Sequence, residues 1–276
     1  MTTHKNFEQE VKQGERFQFG KNWHNFLSVL DDERINEAEK SLKAMLKVED
    51  LKGKSFLDIG SGSGLFSLAA RRLEAKVHSF DYDPDSVACT KELKHRYFPD
   101  NSDWKIEPGS VLDRDYIQSL GQFDIVYSWG VLHHTGGMWQ ALENVSLAVA
   151  KQGYLFIAIY NDQGGKSQRW RRIKQLYCSG VLGKTLVSVV FITYFILNGL
   201  ALDILRLKNP FSRYTEYKKS RGMSMVYDWF DWLGGYPFEV AKPEEIFNFY
   251  QTRGFILINL STSTGWGCNQ FVFMKQ

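Results

Sequence analysis

Short apolar segments alternate with segments of helical character through the middle of the chain. Five segments rich in β-branched and aromatic residues predict strands, at 54–60, 75–81, 104–109, 123–129 and 153–160. Helices are predicted between most of them, at 64–73, 84–97 and 138–150. This alternation predicts a parallel sheet covered by helices on both faces, with ligands bound at the carboxyl ends of its strands.

The C-terminal part of the chain is predicted to return to the same sheet. Residues 242–254 have Pro243 and two acidic residues at their start and Gly254 at their end, which are signals for the start and end of a helix. Residues 255–264 and 269–276 then predict two further strands. Whatever lies between the fifth strand and this helix is therefore an insertion in the fold.

Composition narrows the classes of protein that the chain fits. A chain of 276 residues, 43% hydrophobic and 24% charged, is predicted to bury a large core as one domain with an insertion or as two domains. The net charge of +3 gives no support for a nucleic-acid partner. Three widely spaced cysteines without metal-ligand spacing predict neither a disulfide framework nor a metal site, and they favour a cytoplasmic protein. The polar N-terminus does not have the pattern of a secretory signal.

A glycine-rich segment follows the first predicted strand and opens the first predicted helix. It has the spacing GxGxG, with Leu65 where a dinucleotide-binding fingerprint would have its last glycine, which weakens a hydride-transfer hypothesis. The second strand ends at Asp81, where a carboxylate can accept both hydroxyls of an unmodified ribose. The alternative is a tight turn that binds no ligand. Loop, helix start and acidic strand end together favour a nucleoside with a free diol.

Four segments, in this order between about 54 and 160, carry a resemblance to a known family: LDIGSGSG, FDYDP, GSVLD and FDIVYSWGVLHH. At these segments the chain resembles the class I S-adenosylmethionine-dependent methyltransferases. The resemblance implies a Rossmann-like α/β sheet of seven strands, the last one antiparallel, with helices on both faces. It also places a helical insertion before the closing hairpin and implies S-adenosylmethionine as the cofactor.

The resemblance carries over a set of cofactor-binding residues. They are Asp58, Gly60, Gly62, Gly64, Asp81, Tyr82, Ser110, Val111 and Ser128. Many members of the family have an acidic residue after the glycine of the third motif, which accepts from the adenine amine. This chain has Ser110 there, so a hydroxyl or a backbone contact at Val111 must serve instead.

Methyl transfer to a hydroxyl is helped by a general base, and a histidine is suited to that role. His133 and His134 follow the fourth predicted strand and are the candidate catalytic residues; the alternative is that they only pack or fix the loop. Five further residues are candidates for binding the acceptor, because they follow strand ends or lie in aromatic segments that could cover the site. They are Trp23, Tyr160, Asn161, Tyr236 and Glu239.

The insertion contains 18 uncharged residues at 185–202, which reaches the length of a membrane-spanning helix. A single crossing is rejected, because it would separate the last two strands from their sheet. Basic residues flank the segment, namely Lys166, Arg169, Arg171, Arg172 and Lys174 before it, and Arg206, Lys208, Arg213, Lys218, Lys219 and Arg221 after it. A helical lid, packed on the core or on a second subunit, and shallow membrane contact through 185–207 both stay open. In either case the segment is apolar almost all round and is expected to need cover on more than one side.

The sequence therefore predicts a methyltransferase in four segments: an N-terminal helical cap at 1–50, the cofactor-binding core at 51–165, the insertion at 166–241, and the last helix and hairpin at 242–276. The acceptor is expected to be a small molecule, lipophilic compounds included, with hydroxyl methylation ahead of methylation of an amine or peptide. A non-catalytic subunit that only binds the cofactor is the alternative of another class. Peripheral contact with the inner face of a membrane and a homodimer both stay open.

Overall fold

The computed structural model describes residues 2–206, 209, 225–265 and 267–276. Five of the flanking basic residues lie outside these described residues, namely Lys208, Arg213, Lys218, Lys219 and Arg221. The described part of the chain forms one seven-stranded sheet in the order β3-β2-β1-β4-β5-β7-β6. Its strands are β1 (Ser55–Ile59), β2 (Lys76–Asp81), β3 (Trp104–Pro108), β4 (Phe123–Trp129), β5 (Val149–Tyr160), β6 (Phe255–Ser261) and β7 (Cys268–Lys275).

The first five strands are parallel, and β7 is antiparallel to both β5 and β6. The sequence-based prediction of a Rossmann-like sheet closed by an antiparallel hairpin is therefore confirmed. One boundary was wrong: β5 begins at Val149, inside the predicted helix. Val149 pairs with Phe123 across a register shift, so cross-strand pairing decides this boundary rather than local helical character.

Helices lie before, between and after the strands. Three precede the sheet: α1 (Thr2–Lys12), α2 (Gly20–Leu27) and α3 (Asp32–Leu46). Between strands lie α4 (Leu65–Arg72), α5 (Pro84–Tyr97), α6 (Arg114–Ser119) and α7 (Met138–Leu147). The described parts of the insertion form α8 (Gly165–Cys178), α9 (Val181–Leu205) and α10 (Met225–Gly234), and α11 (Pro243–Gln251) precedes β6. The short α6 was not predicted, although Asp113 caps it by accepting from the Tyr116 N–H.

Both faces of the sheet are buried, which explains the continuous apolar segments in the sequence. Neighbouring residues of β1 enter different cores: Phe56 packs in a cluster with residues of α3, α4 and α5. Leu57 packs in the other cluster, which includes residues of α7 and α11. The carboxyl-end edge of the sheet is therefore supported by packing on both faces.

The insertion packs as a third, smaller cluster around Tyr177, Val187 and Leu233. The ammonium group of the buried Lys174 donates to the Trp232 carbonyl and lies 4.2 Å from the centre of the Trp232 ring. This contact ties α8 to α10. The long helix α9 is covered by the protein along only part of its circumference, whereas its sequence led us to expect cover on more than one side.

Replacing Tyr250 by Phe tests the packing of α11 against the sheet. The buried Tyr250 hydroxyl donates to the Leu142 carbonyl at 2.9 Å, so the variant leaves a buried carbonyl without this donor. We expect the free energy of unfolding in urea to fall by about 1–3 kcal/mol. The partly exposed Tyr97, changed to Phe, is the matched control and should shift it by less than about 0.5 kcal/mol. Equal effects at both positions would contradict this account.

Candidate active site

The loop between β1 and α4 turns sharply at glycines. Gly60, Gly62 and Gly64 have φ values of 75°, 54° and 83°, a region that favours glycine. A Cβ on Gly60 would lie 2.4 Å from the Val131 side chain, and one on Gly64 would lie 2.9 Å from the Thr90 backbone. The loop therefore packs directly against the segment that follows β4 and against α5.

Asp81, at the end of β2, is held close to this loop. The Gly62 N–H donates to one oxygen of its carboxylate and the Asp83 N–H to the other, both at 2.9 Å. Burial raises the pKa of Asp81 to about 7, although the two N–H groups act in the opposite direction. Each carboxylate oxygen keeps a lone pair for a further donor, as a pair of ribose hydroxyls would supply.

A second acid, Asp58, lies at the end of β1 and is buried. The Ser67 hydroxyl donates to it at 2.5 Å, and burial raises the pKa of Asp58 to about 7. Tyr127 is its neighbour on β4, and the buried Tyr127 hydroxyl finds no hydrogen-bond partner among the described residues. Both side chains line the same cavity, so they offer it an acceptor and an unused hydroxyl.

This cavity has a volume of about 1180 Å³ and extends from the glycine loop to the insertion. Ten of the predicted site residues line it: Asp58, Gly60, Gly62, Asp81, Tyr82, Ser110, Val111, His134, Trp23 and Tyr160. Six do not: Gly64, Ser128, His133, Asn161, Tyr236 and Glu239. The structure thus brings seven of the nine cofactor-binding candidates together at one end and separates the two histidines.

The residues outside the cavity wall hold the elements around it. The Ser128 hydroxyl donates to the Ile59 carbonyl at 3.0 Å and joins β4 to β1. The Glu239 carboxylate accepts from the Met138 N–H at the start of α7, where a negative charge is favoured by the helix dipole. Gly64 packs on α5, as described above. These three residues therefore position the elements that surround the cavity.

Asn161 and Tyr236 are also engaged within the protein. The Asn161 amide donates to the Ser263 carbonyl at 3.2 Å and accepts from the Asn269 amide at 3.1 Å, which ties the end of β5 to the closing hairpin. The Tyr236 carbonyl accepts from the Phe17 N–H at 2.8 Å. Tyr236 therefore links the segment after α10 to the N-terminal part of the chain.

The two histidines sit in one short helical turn (Leu132–His134) after β4 but face different surroundings. His133 is fully buried, and its Nε2 has no hydrogen-bond partner among the described residues. His134 lines the cavity, and its Nδ1 lies 2.6 Å from the Pro237 carbonyl. A carbonyl can only accept, so Nδ1 carries the proton and Nε2 keeps a lone pair. Burial lowers the pKa of His134 to about 3, and the Lys174 and Arg16 charges add to this, so the ring is neutral.

The N-terminal segment covers the cofactor end of the cavity. Arg16 donates to the carbonyls of His134 and Thr135 at 2.9 and 3.2 Å and pairs with Glu10 at 2.6 Å. The Tyr82 hydroxyl donates to the same Glu10 at 2.9 Å. From the sequence, Arg16 and Trp23 both belonged to a segment that could cover the cofactor, but only Trp23 was taken as a site residue. The contacts of Arg16 were not predicted, because its acceptors are carbonyls more than 100 residues away, which no local pattern reveals.

Aromatic rings form the other end of the cavity in a continuous series of contacts. His134 lies 5.5 Å from Tyr160, measured between ring centres, and Tyr160 lies 5.9 Å from Trp232. The series continues through Trp170, Phe191, Phe195 and Trp229, with successive ring centres 5.2–6.2 Å apart. All seven side chains line the cavity. We call the six from Tyr160 onward the aromatic wall.

The chain's residues fit S-adenosylmethionine at the glycine-loop end. Gly60 and Gly62 leave the loop without side chains, Asp81 has lone pairs for a diol, and Ser110 and Val111 lie on the same cavity beside Tyr82. Many members of the family have an acidic residue near this position that accepts from the adenine amine. Glu107, three residues before Ser110, does not take that role, because it already bonds to Tyr116 and His78.

Comparison with known proteins supports this assignment. Residues 57–155 match a family described as "Methyltransferase domain". The ribosomal protein L11 methyltransferase of Bacillus velezensis is 26% identical over 187 residues, covering 57% of this chain and 60% of that protein. The tRNA U34 carboxymethyltransferase of Pseudomonas savastanoi pv. phaseolicola is 38% identical over 87 residues, covering 31% of this chain and 26% of that protein. The chain thus spans less than two thirds of the length of these relatives.

Solved structures show the same fold. Magnesium protoporphyrin IX methyltransferase from Synechocystis PCC 6803, with bound SAH, superposes with a TM-score of 0.52 at 12% identity over 88% of this chain and 83% of that one. The N-methyltransferase NodS from Bradyrhizobium japonicum WM9, in complex with S-adenosyl-L-homocysteine (SAH), gives a TM-score of 0.50 at 12% identity over 94% and 99%. The family match thus identifies a methyltransferase domain at residues 57–155, and the superpositions, with the sheet order, show that the chain has the fold of these S-adenosylmethionine-dependent methyltransferases.

Proposed function

We propose that the protein transfers a methyl group from S-adenosylmethionine to a hydroxyl group of a small molecule with an aromatic or extended apolar part. The observation that carries this proposal is the single cavity that joins the glycine loop to the aromatic wall, with the neutral His134 in contact with the wall's first ring. Its volume of about 1180 Å³ exceeds that of most sites for one small ligand, which leaves room for cofactor and acceptor together.

When bound, S-adenosylmethionine supplies an electrophilic methyl group on a sulfonium. The protein's part in such a displacement is chiefly to align the acceptor and exclude water. Asp81 would accept the ribose hydroxyls, and Asp58 would face the cationic amino group of the cofactor. The Tyr127 hydroxyl lies beside Asp58 as a further donor. The N-terminal segment, fastened by Arg16, would shield this end from solvent.

His134 is placed to accept a hydrogen bond from an acceptor hydroxyl and to receive its proton as the methyl group is transferred, although its low pKa makes it a weak base in the free protein. Its Nδ1–H is committed to the Pro237 carbonyl, which fixes both the tautomer and the ring orientation. Its low pKa keeps Nε2 unprotonated at neutral pH. His133 supports it: the His133 carbonyl accepts from the Glu239 N–H at 2.9 Å, and its ring packs 4.5 Å from that of His134.

The acceptor would lie against Tyr160 and the rest of the aromatic wall, with Trp23 on the opposite side near Gly62. Six aromatic rings favour a planar or hydrophobic acceptor, because each buried ring removes a large apolar area from water. Asn161, Tyr236 and Glu239 contribute by holding the elements that carry these rings, since their polar groups bond within the protein.

The reaction is tested with methyl-labelled cofactor and a panel of hydroxyl, amine and peptide acceptors that share one apolar part. We expect label in the hydroxyl acceptors, with turnover that rises with the apolar length. Label in the amine or peptide series instead would replace O-methylation by N-methylation. SAH binding without transfer to any class, cell extract included, would favour a non-catalytic subunit.

The substitution His134→Asn distinguishes a role of His134 as general base from a role in anchoring the turn. The Asn amide retains a donor near the Nδ1 position for the Pro237 carbonyl but lacks the Nε2 lone pair. We expect kcat to fall by about 10²–10⁴-fold with the affinity for SAH unchanged in calorimetry. The conservative variant Tyr97→Phe, at a partly exposed position, should leave both quantities unchanged. A wild-type kcat in a folded His134→Asn protein would show that His134 only anchors the turn.

The affinity for SAH should rise with pH through about 7, because the ribose hydroxyls bind the ionised form of Asp81 and the free protein holds a proton there below its pKa of about 7. Well below that pKa, the ionisation of Asp81 alone should weaken binding by about tenfold for each unit of pH, and Asp58, whose pKa is also about 7, should add to this slope. The variant Asp81→Asn should bind more weakly, by about 1.5–3 kcal/mol at pH 8, with a shallower slope. Calorimetry from pH 5.5 to 8 measures both. Identical slopes in variant and wild type would place the titrating group elsewhere.

A further inference from the structure

One side of α9 is an exposed apolar stripe. Leu182, Leu186, Val190, Leu197 and Ile204 recur at helical spacing, and their exposed fractions range from 53% to 88%. The helix has 25 residues and is therefore about 37 Å long. Its most apolar stretch of 18 residues has a mean hydropathy of 2.0, so the helix could cross a bilayer by length and composition alone. Monomeric proteins rarely expose a continuous apolar surface of this extent.

The other side of α9 lies along the protein. Gly183 and Val187, near its start, and Gly199 and Asp203, near its end, are buried. Phe191 and Phe195, opposite Leu186 and Leu197 by helical spacing, line the cavity. Because the body covers the helix at both ends, α9 in this fold lies along a surface rather than across a membrane.

The surroundings of the stripe are basic. Residues 166–206 contain seven Lys and Arg but a single acidic residue, Asp203, which is 5% exposed. The whole chain carries a net charge of only +3, so positive charge is concentrated here. On α8, the exposed Arg169 and Arg172 lie two turns and one turn before Leu176, respectively. Leu176 borders the same surface groove as Leu182 and Leu186.

The stripe is continuous with the rim of the cavity. Tyr194 lines the cavity and is nevertheless 57% exposed, so it marks the place where the aromatic wall reaches the surface of α9. Lys166 and Arg169, both exposed, line the same cavity. An amphiphile could therefore move from the stripe into the cavity without leaving apolar surroundings.

We propose that α9 binds flat in the headgroup region of an anionic lipid leaflet, with its apolar stripe in the acyl boundary and the basic residues of α8 among the headgroups. This inference rests on the proposed function. It makes the methyl acceptor an amphiphile that is dissolved in the leaflet and enters the cavity past Tyr194. An apolar helical face bordered by Lys and Arg is the combination that such surfaces bind.

The positive charge around the stripe favours an anionic leaflet over a second copy of the chain as its partner. In a two-fold dimer through the stripe, the same patch would face itself, so the Lys and Arg residues at 166–206 of each copy would face a surface whose one acidic residue, Asp203, is buried. An anionic leaflet instead supplies the opposite charge along the whole patch.

The test is flotation of the full chain with vesicles of phosphatidylcholine alone and of phosphatidylcholine with phosphatidylglycerol, at about 0.1 and 1 M salt, where the screening lengths are about 10 and 3 Å. We expect binding to the anionic vesicles at low salt that weakens at high salt. Leu186→Gln with Leu197→Gln should weaken it by about 100-fold or more. Arg169→Gln with Arg172→Gln should weaken it by about 10- to 30-fold.

Matched controls carry the same changes elsewhere. Lys91→Gln with Lys151→Gln removes two exposed charges, and Leu260→Gln changes an apolar residue that is 42% exposed on β6. Both should bind vesicles like the wild type. Thermal unfolding and SAH affinity of every variant report folding and the cofactor site separately, so loss of vesicle binding with intact SAH binding concerns the membrane proposal alone.

Two results would overturn the proposal. One is the absence of binding to anionic vesicles at either salt concentration in folded wild-type protein. The other is a wild-type dimer, by sedimentation velocity, that Leu186→Gln with Leu197→Gln converts to a monomer without any vesicle binding, since the stripe would then be an interface between copies.

Discussion

The pairing of β1 with both β2 and β4 is the constraint on which the site depends. Parallel strands end at the same edge of a sheet, so this order brings together the ends of β1, β2 and β4, which are distant in sequence. Asp58, Asp81 and the turn that carries His134 follow from that arrangement. Glycine is needed where these ends crowd, because Val131 from the β4 end occupies the space that a side chain on Gly60 would need.

Much of this could be predicted from the sequence, because parallel strands buried on both faces and a glycine loop leave strong local patterns. The acid at the end of β2 was likewise predicted from its position after a strand, and the resemblance to the methyltransferase family implied that the closing hairpin is antiparallel. The early start of β5 was not, since its first residue is decided by pairing with Phe123 across a register shift. The separation of His133 from the cavity was also hidden: two adjacent residues in a short turn point to different surroundings, and only the packed neighbours determine which one is exposed to the cavity.

Long-range polar contacts explain the remaining differences. The segment after α10 contacts the turn at His134 twice and the start of α7 once. Pro237 accepts from the His134 ring, the Glu239 N–H donates to the His133 carbonyl, and the Glu239 carboxylate accepts from the Met138 N–H of α7. Arg16 reaches the same turn from the N-terminal side. Sequence reasoning took Tyr236 and Glu239 as acceptor ligands, since polar and aromatic residues in an insertion suggest a pocket. In the fold, Glu239 connects the insertion to the turn, and the Tyr236 carbonyl accepts from the Phe17 N–H of the N-terminal segment.

The insertion leaves and rejoins the sheet at neighbouring positions. Asn161 bridges Ala241, the Ala241 N–H donates to the Tyr160 carbonyl at 3.1 Å, and the Asp162 N–H donates to the Ala241 carbonyl at 3.2 Å. The roughly 80 residues in between therefore form a loop closed at its base, and the entropy of closing such a loop changes only slowly with its length. Segments of different length and chemistry could be exchanged on this base at little cost to the sheet. The chemistry of the aromatic wall and of the α9 surface can thus diverge in the insertion while the glycine-loop end of the cavity stays unaltered.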